Sequence, residues 1–417
     1  MNVLVLGSGG REHSICLHLR KSKKLKNLWC VPGNAGTKKI AKHIELNLTN
    51  HQEVINFCKK SKINIVVPGS EEYLEKGISD NLRLSGVMVF GPSQASAKLE
   101  TSKLFTKKIC DKANIKSAKW KLFDNYKNAL LSLNKVKFPK VIKLDGLAAG
   151  KGVIVAKDFE EAKKFLNNVK NGNIGNKKSK VIIEEKLIGE EASFFFIVDG
   201  KNAKFMGSAK DYKRVGDKNT GLNTGGMGCI SPSPLENKKN INLVLKKIIN
   251  PTLNAMNEIG YTFKGVLYAG LMFTKKGVFL IEYNVRLGDP ECQSILSRLE
   301  SDLIQIITMT EKQKLSTLNI KLSKKKSICI VLASKGYPKK YKVGYKIKGN
   351  FEQKNLPVNI VHAGTTLDLN KNLVTNGGRV LNVIANSKEI ENAKELAYSF
   401  IKKIQCSSLF YRRDIGE

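Results

Sequence analysis

The sequence contains no pair of cysteines two residues apart. Its eight cysteines, at positions 16, 30, 58, 110, 229, 292, 329 and 406, are scattered over 417 residues. That pattern offers neither zinc-ligand spacing nor a disulfide framework, and it leads us to expect a reducing, cytoplasmic setting. No apolar run approaches the ~20 residues of a membrane span, so no membrane association is expected. The opening MNVLVLGSGG lacks a basic flank and is too short in its apolar part for a secretory signal. Histidine is also scarce. The five, at 13, 18, 43, 51 and 362, form no H-x-x-x-H or H-E-x-x-H pattern, which argues against a histidine metal site or a catalytic triad. His362 reads as structural or substrate-positioning.

Arginine is the third shortage. Only nine of the 72 basic residues are arginine, although 36 acidic residues leave a formal net charge of +36. Base readout and phosphate forks favour arginine clusters. Dispersed lysine, in an asparagine-rich chain, fits biased composition better than a nucleic-acid-binding role. The expectation is no specific nucleic-acid partner, with salt-sensitive, nonspecific binding at most. A hydrophobic content of 41% and a charged content of 26% describe a globular chain long enough for two to four domains. Internal repeats and low-complexity segments are missing.

What is there begins with βα alternation. NVLVLG reads as a buried strand, then a glycine turn and the helix REHSICLHLRKS. The strand NLWCV ends at PGNAGT. EVINFCKKSK is a helix, INIVVPG a strand, a helix follows to about Ser85, and VMVFGP is a strand. Such alternation predicts an open parallel sheet of Rossmann type over residues 1–100. A nicotinamide dinucleotide is not expected, because Glu12 stands where the third fingerprint glycine belongs and the second strand ends without a ribose-binding acid.

From about Thr101 the pattern changes. SKLFTKKICDKAN reads as a helix, KVIKL and GVIVA as strands flanking a glycine loop, and DFEEAKKFLNNV as a helix. KVIIEEKLIGEEASFFFIVD gives two strands joined by an acidic turn, and GLNTGGMGCISPSP a loop. A helix around Lys246–Ile259 precedes the hairpin strands GVLYAGLMF and GVFLIEYNVR. From about Ser323 a third unit has strands SICIVLAS, VNIVHAGT and GGRVLNVIA and a final helix.

Three stretches carry chemistry. KLDGLAAGKGVIVA places Lys143 and Lys151 around glycines that let backbone N–H groups close over an anion. It is not a P-loop, since Gly152 follows Lys151, and a plain hairpin fits it equally well. IIEEKLIGEE offers backbone groups for a base and carboxylates for ribose hydroxyls, or merely a solvated acidic turn. FLIEYNVRLGDPE is more informative. Alternation along a strand puts Glu282, Asn284 and Arg286 on one face. A carboxylate and an amide oxygen there can share a hard divalent cation, and the arginine can hold a carboxylate or phosphoryl oxygen. An amphipathic edge strand is the bland alternative. Ser, Cys and His form no nucleophile–base arrangement.

Together these pieces resemble the phosphoribosylamine–glycine ligase family of ATP-grasp enzymes. The likeness covers nearly the whole chain through GSGGREH, PGNAGT, SKLFTK, KLDGLAAGKGV, EEKLIGEEAS, DYKRVGDKNTGLNTGGMG, EYNVRLGDPE, HAGT, TNGGRVL and FYRRDIG. Each motif is weak alone; ten in one order are specific. The resemblance implies an α/β chain with a Rossmann-like N-terminal substrate domain (1–100), an ATP-grasp region (101–321) with a mobile lid at about 120–187, and a small mixed α/β C-terminal domain (322–417). It implies that glycine, 5-phosphoribosylamine and ATP give glycinamide ribonucleotide, ADP and phosphate through glycyl phosphate. Mg²⁺ would be the metal, with Mn²⁺ as an alternative, and the chain a monomer or weak oligomer. Another ATP-grasp ligase of purine synthesis is the nearest rival.

Carried over residue by residue, ATP falls to Lys103, Lys143, Gly146, Gly150, Lys151, Gly152, Glu184, Glu185, Leu187, Glu190 and Glu191. Metal binding falls to Glu282 and Asn284. The phosphoribosylamine site takes Gly9, Gly10, Arg11, Glu12, Asn34, Gly36 and Thr37. Asp211, Arg286 and Asp289, as catalytic residues, and Glu291 fall in the glycine and acyl-phosphate region. The chain departs from the family pattern at Thr101 (for glycine), Tyr212 (for histidine) and Leu222 (for proline), and in a 68–74 segment that keeps Glu71 but loses both prolines.

Overall fold

In the computed structural model, which describes residues 1–134, 136–148, 151–349, 351 and 356–417, the N-terminal hundred residues build a four-stranded parallel sheet. Strand Asn2–Gly7 lies between Asn27–Pro32 and Ile65–Pro68, with Met88–Val89 beyond. Val3 to Leu6 are all fully buried, as expected of a parallel strand covered on both faces. This is the Rossmann-like sheet expected from the βα alternation. Two details differ. The last strand is only two residues long, because Gly91-Pro92 ends the pairing and proline has no N–H to give a ladder. The helix expected up to Ser85 is two, Glu71–Glu75 and Ile78–Leu84, broken at Gly77 with φ 78°, a left-handed angle that glycine accepts freely.

A second, antiparallel four-stranded sheet holds the glycine loop. Its order is Trp120–Phe123, Val181–Glu185, Lys140–Leu144, Val153–Ala156. Helix Phe159–Lys170 covers it with Ala162, Phe165, Leu166 and Val169, a stripe at helical spacing. Asp158 caps that helix by accepting from Glu161 N at 2.8 Å. Leu144, Ala156 and Leu166 share a core with helix Tyr126–Leu133, separate from the other hydrophobic clusters, so this unit packs on itself.

The third element is a nine-stranded antiparallel sheet. In order it holds Gly277–Asn284, Lys264–Thr274, Glu190–Asp199, Ala203–Asp211, Gly228–Ser231, Lys326–Ser334, Arg379–Ser387 and Asn359–His362, with Leu409–Phe410 pairing on Lys326–Ser334. The expected loop GLNTGGMGCISPSP is therefore not all loop. Gly228–Ser231 is a buried strand, paired with Ala203–Asp211 on one side and Lys326–Ser334 on the other. Glycine is needed there, since a Cβ at Gly228 would lie 2.6 Å from the Cys329 carbonyl oxygen. The helix expected at 246–259 starts earlier, at Lys238, and passes through a π-helical turn at Leu245–Ile249 just before Pro251, which has no N–H to donate. Helix Ile390–Ile401 packs on the C-terminal strands through Ala393, Ala397, Phe400 and Ile401. Among the described residues no helix is long and apolar enough to cross a membrane.

Candidate functional site

The cleft between the glycine-loop sheet and the long sheet collects seven residues singled out in the sequence: Lys103, Lys143, Gly152, Glu184, Glu282, Asn284 and Arg286. Lys143 comes from the strand before the glycine loop. Its Nζ is 2.9 Å from Glu184 Oε2 and donates to Ile281 O at 3.2 Å. Lys107, not foreseen, stands 3.0 Å from Glu184 Oε1 and donates to Ala118 O at 3.1 Å. All three are buried. Two buried ammonium groups thus share one carboxylate, and the surplus positive charge faces the cleft. Burial lowers the pKa of Lys107 and of Lys103, which means that an anion here would be welcome.

The same helix that carries Lys103 and Lys107, Lys103–Lys112, fixes the loop's entry. Asp145 Oδ1 accepts from Ser102 Oγ at 3.0 Å and from Leu104 N at 3.1 Å, and Lys103 Nζ donates to Gly146 O at 3.1 Å. Gly146 has φ 102°. Gly152 closes the loop by accepting from Leu144 N at 2.8 Å, and Lys151 is exposed. Gly150 lies outside the described residues.

Glu282 and Asn284 sit on one face of Gly277–Asn284, as alternation requires. Among the described residues, no hydrogen bond engages the Glu282 carboxylate or the Asn284 amide; the nearest cation to Glu282 is Lys213, at 3.9 Å. Burial would raise the Glu282 pKa, but Lys213, Lys143 and Lys103 outweigh it and keep the carboxyl low. A charged carboxylate and an amide oxygen with free lone pairs suit a hard divalent cation. No group of three or more His, Cys, Asp or Glu among the described residues could hold a metal, so further ligands would come from phosphates or water.

Arg286 is more tightly engaged than a free guanidinium. Its Nε is 2.7 Å from Glu71 Oε2 and its Nη2 2.8 Å from Glu100 Oε1, while Nη1 donates to Leu287 O at 3.3 Å. Glu100 also accepts from Val285 N at 2.8 Å.

Beyond Arg286 the chain turns. Asp289 accepts from Gln293 Nε2 at 2.7 Å and from Arg11 N at 3.3 Å, and its Oδ1 is 3.2 Å from Arg379 Nη1. Burial opposes its charge, but Arg379 and Arg11 prevail and lower its pKa. Asp211 is the opposite case. Its Oδ1 is buried with no hydrogen-bond partner among the described residues. Burial first, and then the neighbouring buried Glu291, hold its pKa well above the usual carboxylate range.

The N-terminal set assembles across the Asp289 turn; a Cβ at Gly9 would lie 3.3 Å from Asp289 Oδ2. Glu12 accepts from Gly9 N at 2.6 Å and pairs with Arg11 Nε at 2.6 Å. Asn34 is saturated. Its Nδ2 donates to Ser8 O and His362 O, and its Oδ1 accepts from Gly36 N and Thr37 N. Thr37, fully buried, accepts from Asn34 N at 2.7 Å. Asn34 and Thr37 therefore shape the loop. Gly36 has no room for a side chain, because a Cβ would lie 2.7 Å from His13 Nδ1 and from His362 Cδ2. Gly10 is similarly confined: a Cβ there would lie 2.5 Å from Asn382 Nδ2 and 2.7 Å from Gln293 Nε2.

The acidic turn is only partly drawn in. Glu184 is taken by the two lysines, and Glu185 accepts from Lys119 N at 3.0 Å. Leu187, Glu190 and Glu191 do not line the cleft, and the two glutamates are exposed. Sequence reasoning missed Lys107, Glu100, Lys213, Gln293 and Arg379. Lys107 could have been found, since it lies one helical turn from Lys103; Arg379 lies inside the TNGGRVL motif, but nothing in that motif shows that it reaches Asp289, 90 residues away.

Known proteins resemble this chain over nearly its whole length. Residues 1–100, 101–292 and 327–417 match the family models described as phosphoribosylglycinamide synthetase N domain, ATP-grasp (A) domain and C domain. A phosphoribosylamine–glycine ligase of Caldanaerobacter subterraneus is 43% identical over 417 residues, spanning 100% of this chain and 99% of that one. A chloroplastic one of Arabidopsis thaliana is 45% identical over 414 residues, 97% of this chain and 78% of that one. The crystal structure of the Thermotoga maritima phosphoribosylamine–glycine ligase matches with a TM-score of 0.87 and 31% identity over all of both chains. A biotin carboxylase domain from Hydrogenobacter thermophilus shares the fold at a TM-score of 0.71 and 16% identity, over 98% of this chain and 91% of that one.

Proposed function

The chain belongs to the phosphoribosylglycinamide synthetase family, and from that premise we propose that it joins glycine to 5-phosphoribosylamine. ATP is split to ADP and phosphate, and glycinamide ribonucleotide is formed on the route to purines. The observation that carries this reading is the surplus of buried lysine charge beside a carboxylate–amide pair, Glu282 and Asn284, that no hydrogen bond engages among the described residues.

A glycine carboxylate is a poor electrophile. Phosphorylation by ATP turns it into glycyl phosphate, with ADP released. The amine of phosphoribosylamine then attacks the carbonyl carbon, phosphate leaves, and the nitrogen sheds one proton to solvent. Such a reaction needs positioning and charge neutralisation more than a nucleophilic side chain. Lys103 and Lys143 hold ATP phosphates, and the 145–152 loop covers them. The 184–187 strand end, with Glu190 or Glu191, receives the nucleoside. Glu282 and Asn284 would hold Mg²⁺, or Mn²⁺ in its place, and the ion would supply positive charge against the phosphates. Asp211, whose Oδ1 has no hydrogen-bond partner among the described residues, and Glu291, whose charge bears on it, receive the glycine ammonium. Arg286, braced by Glu71 and Glu100, uses three of its five N–H groups on protein and keeps the others for the reacting carboxylate and phosphoryl oxygens. The Gly9–Gly10 and Asn34–Thr37 loops take phosphoribosylamine.

We further take residues 1–100, 101–321 (lid about 120–187) and 322–417 as the domains, and a cytoplasmic monomer or weak oligomer without a specific nucleic-acid partner as the working form. Phosphate release from ATP, measured with glycine and freshly made phosphoribosylamine each omitted in turn, tests the reaction. Release that needs both amine and acid substrates is expected; release indifferent to glycine would overturn it.

A further inference from the structure

The lysines in and beside the cleft differ in how they are held. Lys107 and Lys143 are locked, buried and within 3.0 Å of Glu184. Lys213 is different. Its Nζ lies 3.8 Å from Glu191 Oε2 and 3.9 Å from Glu282 Oε1, and its side chain is 39% exposed. Both distances exceed hydrogen-bond reach. The ammonium is shared between two carboxylates by charge alone, and no hydrogen bond ties it among the described residues. Its backbone, by contrast, is fixed: Lys213 O accepts from Thr224 N and Thr224 Oγ1, each at 2.8 Å. Only the side chain is free to move.

The position matters because Lys213 stands beside one of the two residues read above as metal ligands. An ammonium and a divalent cation cannot both crowd one carboxylate without strong repulsion. Two residues earlier is Asp211, whose buried Oδ1 has no hydrogen-bond partner among the described residues. An α-amino acid carries an ammonium and a carboxylate a few ångströms apart, and a carboxylate next to a loosely held lysine matches that pattern of charge. We infer that Lys213 is a movable cation of the ligation site, which balances Glu282 and Glu191 until Glu282 binds the metal and then turns to the carboxylate of glycine. The inference rests on the reading of Glu282 and Asn284 as metal ligands. Lysine suits the task better than arginine, as a point charge on a flexible stem with no fixed fork to satisfy.

The test uses the full chain and two readouts. Mn²⁺ binding is followed by electron paramagnetic resonance without nucleotide, for wild type, Lys213→Met, Lys213→Arg and Glu282→Ala. Glycine KM and kcat are measured in parallel with Mg²⁺ and ATP. Removing the competing charge in Lys213→Met should tighten Mn²⁺ binding by roughly 3- to 10-fold. Glycine KM should rise and kcat fall on the order of 100-fold, with ATP affinity little changed. Lys213→Arg should restore wild-type Mn²⁺ binding and part of kcat, a rescue that a purely structural role would not separate by readout. Mn²⁺ affinity unchanged in Lys213→Met, while Glu282→Ala abolishes binding, would overturn the role of Lys213 alone. Mn²⁺ binding untouched by Glu282→Ala would overturn the metal reading and this inference together.

Discussion

Glu71 and Arg286 are 215 residues apart in the chain and 2.7 Å apart in space. The pair fastens the N-terminal sheet to the strand that carries Glu282 and Asn284. Because Glu100 contacts the same guanidinium at 2.8 Å, two carboxylates compete for one positive charge, and they settle it differently. For Glu71 burial raises the pKa, but Arg286 and then Arg11 outweigh it and bring the carboxyl down to about 2. For Glu100 burial wins over Arg286, with Glu71 adding to it, and the carboxyl rises to about 7.

A pH dependence follows. The folded protein binds a proton at Glu100 more readily than the unfolded chain does, so this group's contribution is fully present below about pH 4.5. It is lost as pH rises through about 7. A shift of this size corresponds to about 3 kcal/mol at most. Glu100→Gln should flatten that part of the stability profile between about pH 5 and pH 7, as measured by denaturant unfolding of both proteins at each pH. Parallel profiles for the two would show that Glu100 is not the titrating group.

Lys143 and Glu184 should fail in different ways. Lys143→Ala removes one of two cations and leaves Glu184 paired to Lys107, so the fold should hold, while ATP affinity drops at least about 10-fold and turnover nearly disappears. Glu184→Gln leaves two buried ammonium groups without their carboxylate and should cost about 3 kcal/mol of stability. Nucleotide titration and thermal unfolding of both variants check this; normal ATP affinity and rate in Lys143→Ala would remove Lys143 from the phosphate site.

Glu282→Ala and Asn284→Ala should both lower apparent Mg²⁺ affinity and activity. Excess Mg²⁺ should rescue Asn284→Ala better, because a carboxylate gives a hard cation a full charge and an amide only a dipole. Metal titrations of initial rate decide it. Equal losses that no Mg²⁺ concentration repairs would point to a structural role for both side chains.

Glycyl phosphate predicts the fate of one oxygen atom. Glycine labelled with ¹⁸O in its carboxylate should give labelled inorganic phosphate, one label per turnover, read by mass spectrometry. Normal turnover with unlabelled phosphate would sink the acyl-phosphate route.

What the sequence revealed was whatever lies close along the chain. The parallel sheet could be read because Val3 to Leu6 and Ile65 to Val67 are short apolar runs between glycine turns, and the 282/284 face because side-chain alternation in a strand leaves no freedom. The glycine loop could be quoted, but not its anchorage, since Asp145 is held by Ser102 and Leu104 some forty residues earlier. Glu100 escaped for the same reason, and Arg379 escaped in its role though not in its motif: the contact with Asp289 spans 90 residues. Gly228–Ser231 was hidden by composition, because glycines and prolines on either side look like a loop while Cys229 and Ile230 are buried between two strands.

That short strand has a consequence for anyone dividing the chain. Gly228–Ser231 is sewn on both sides into one sheet. A fragment ending before residue 322 would keep the cleft lysines but lose Lys326–Ser334. It would present a bare row of backbone donors and acceptors from Gly228 to Ser231, backed by apolar side chains. Such an open edge invites another copy to dock on it. A truncated enzyme should therefore self-associate as its concentration rises, even if each piece of its catalytic cleft is intact.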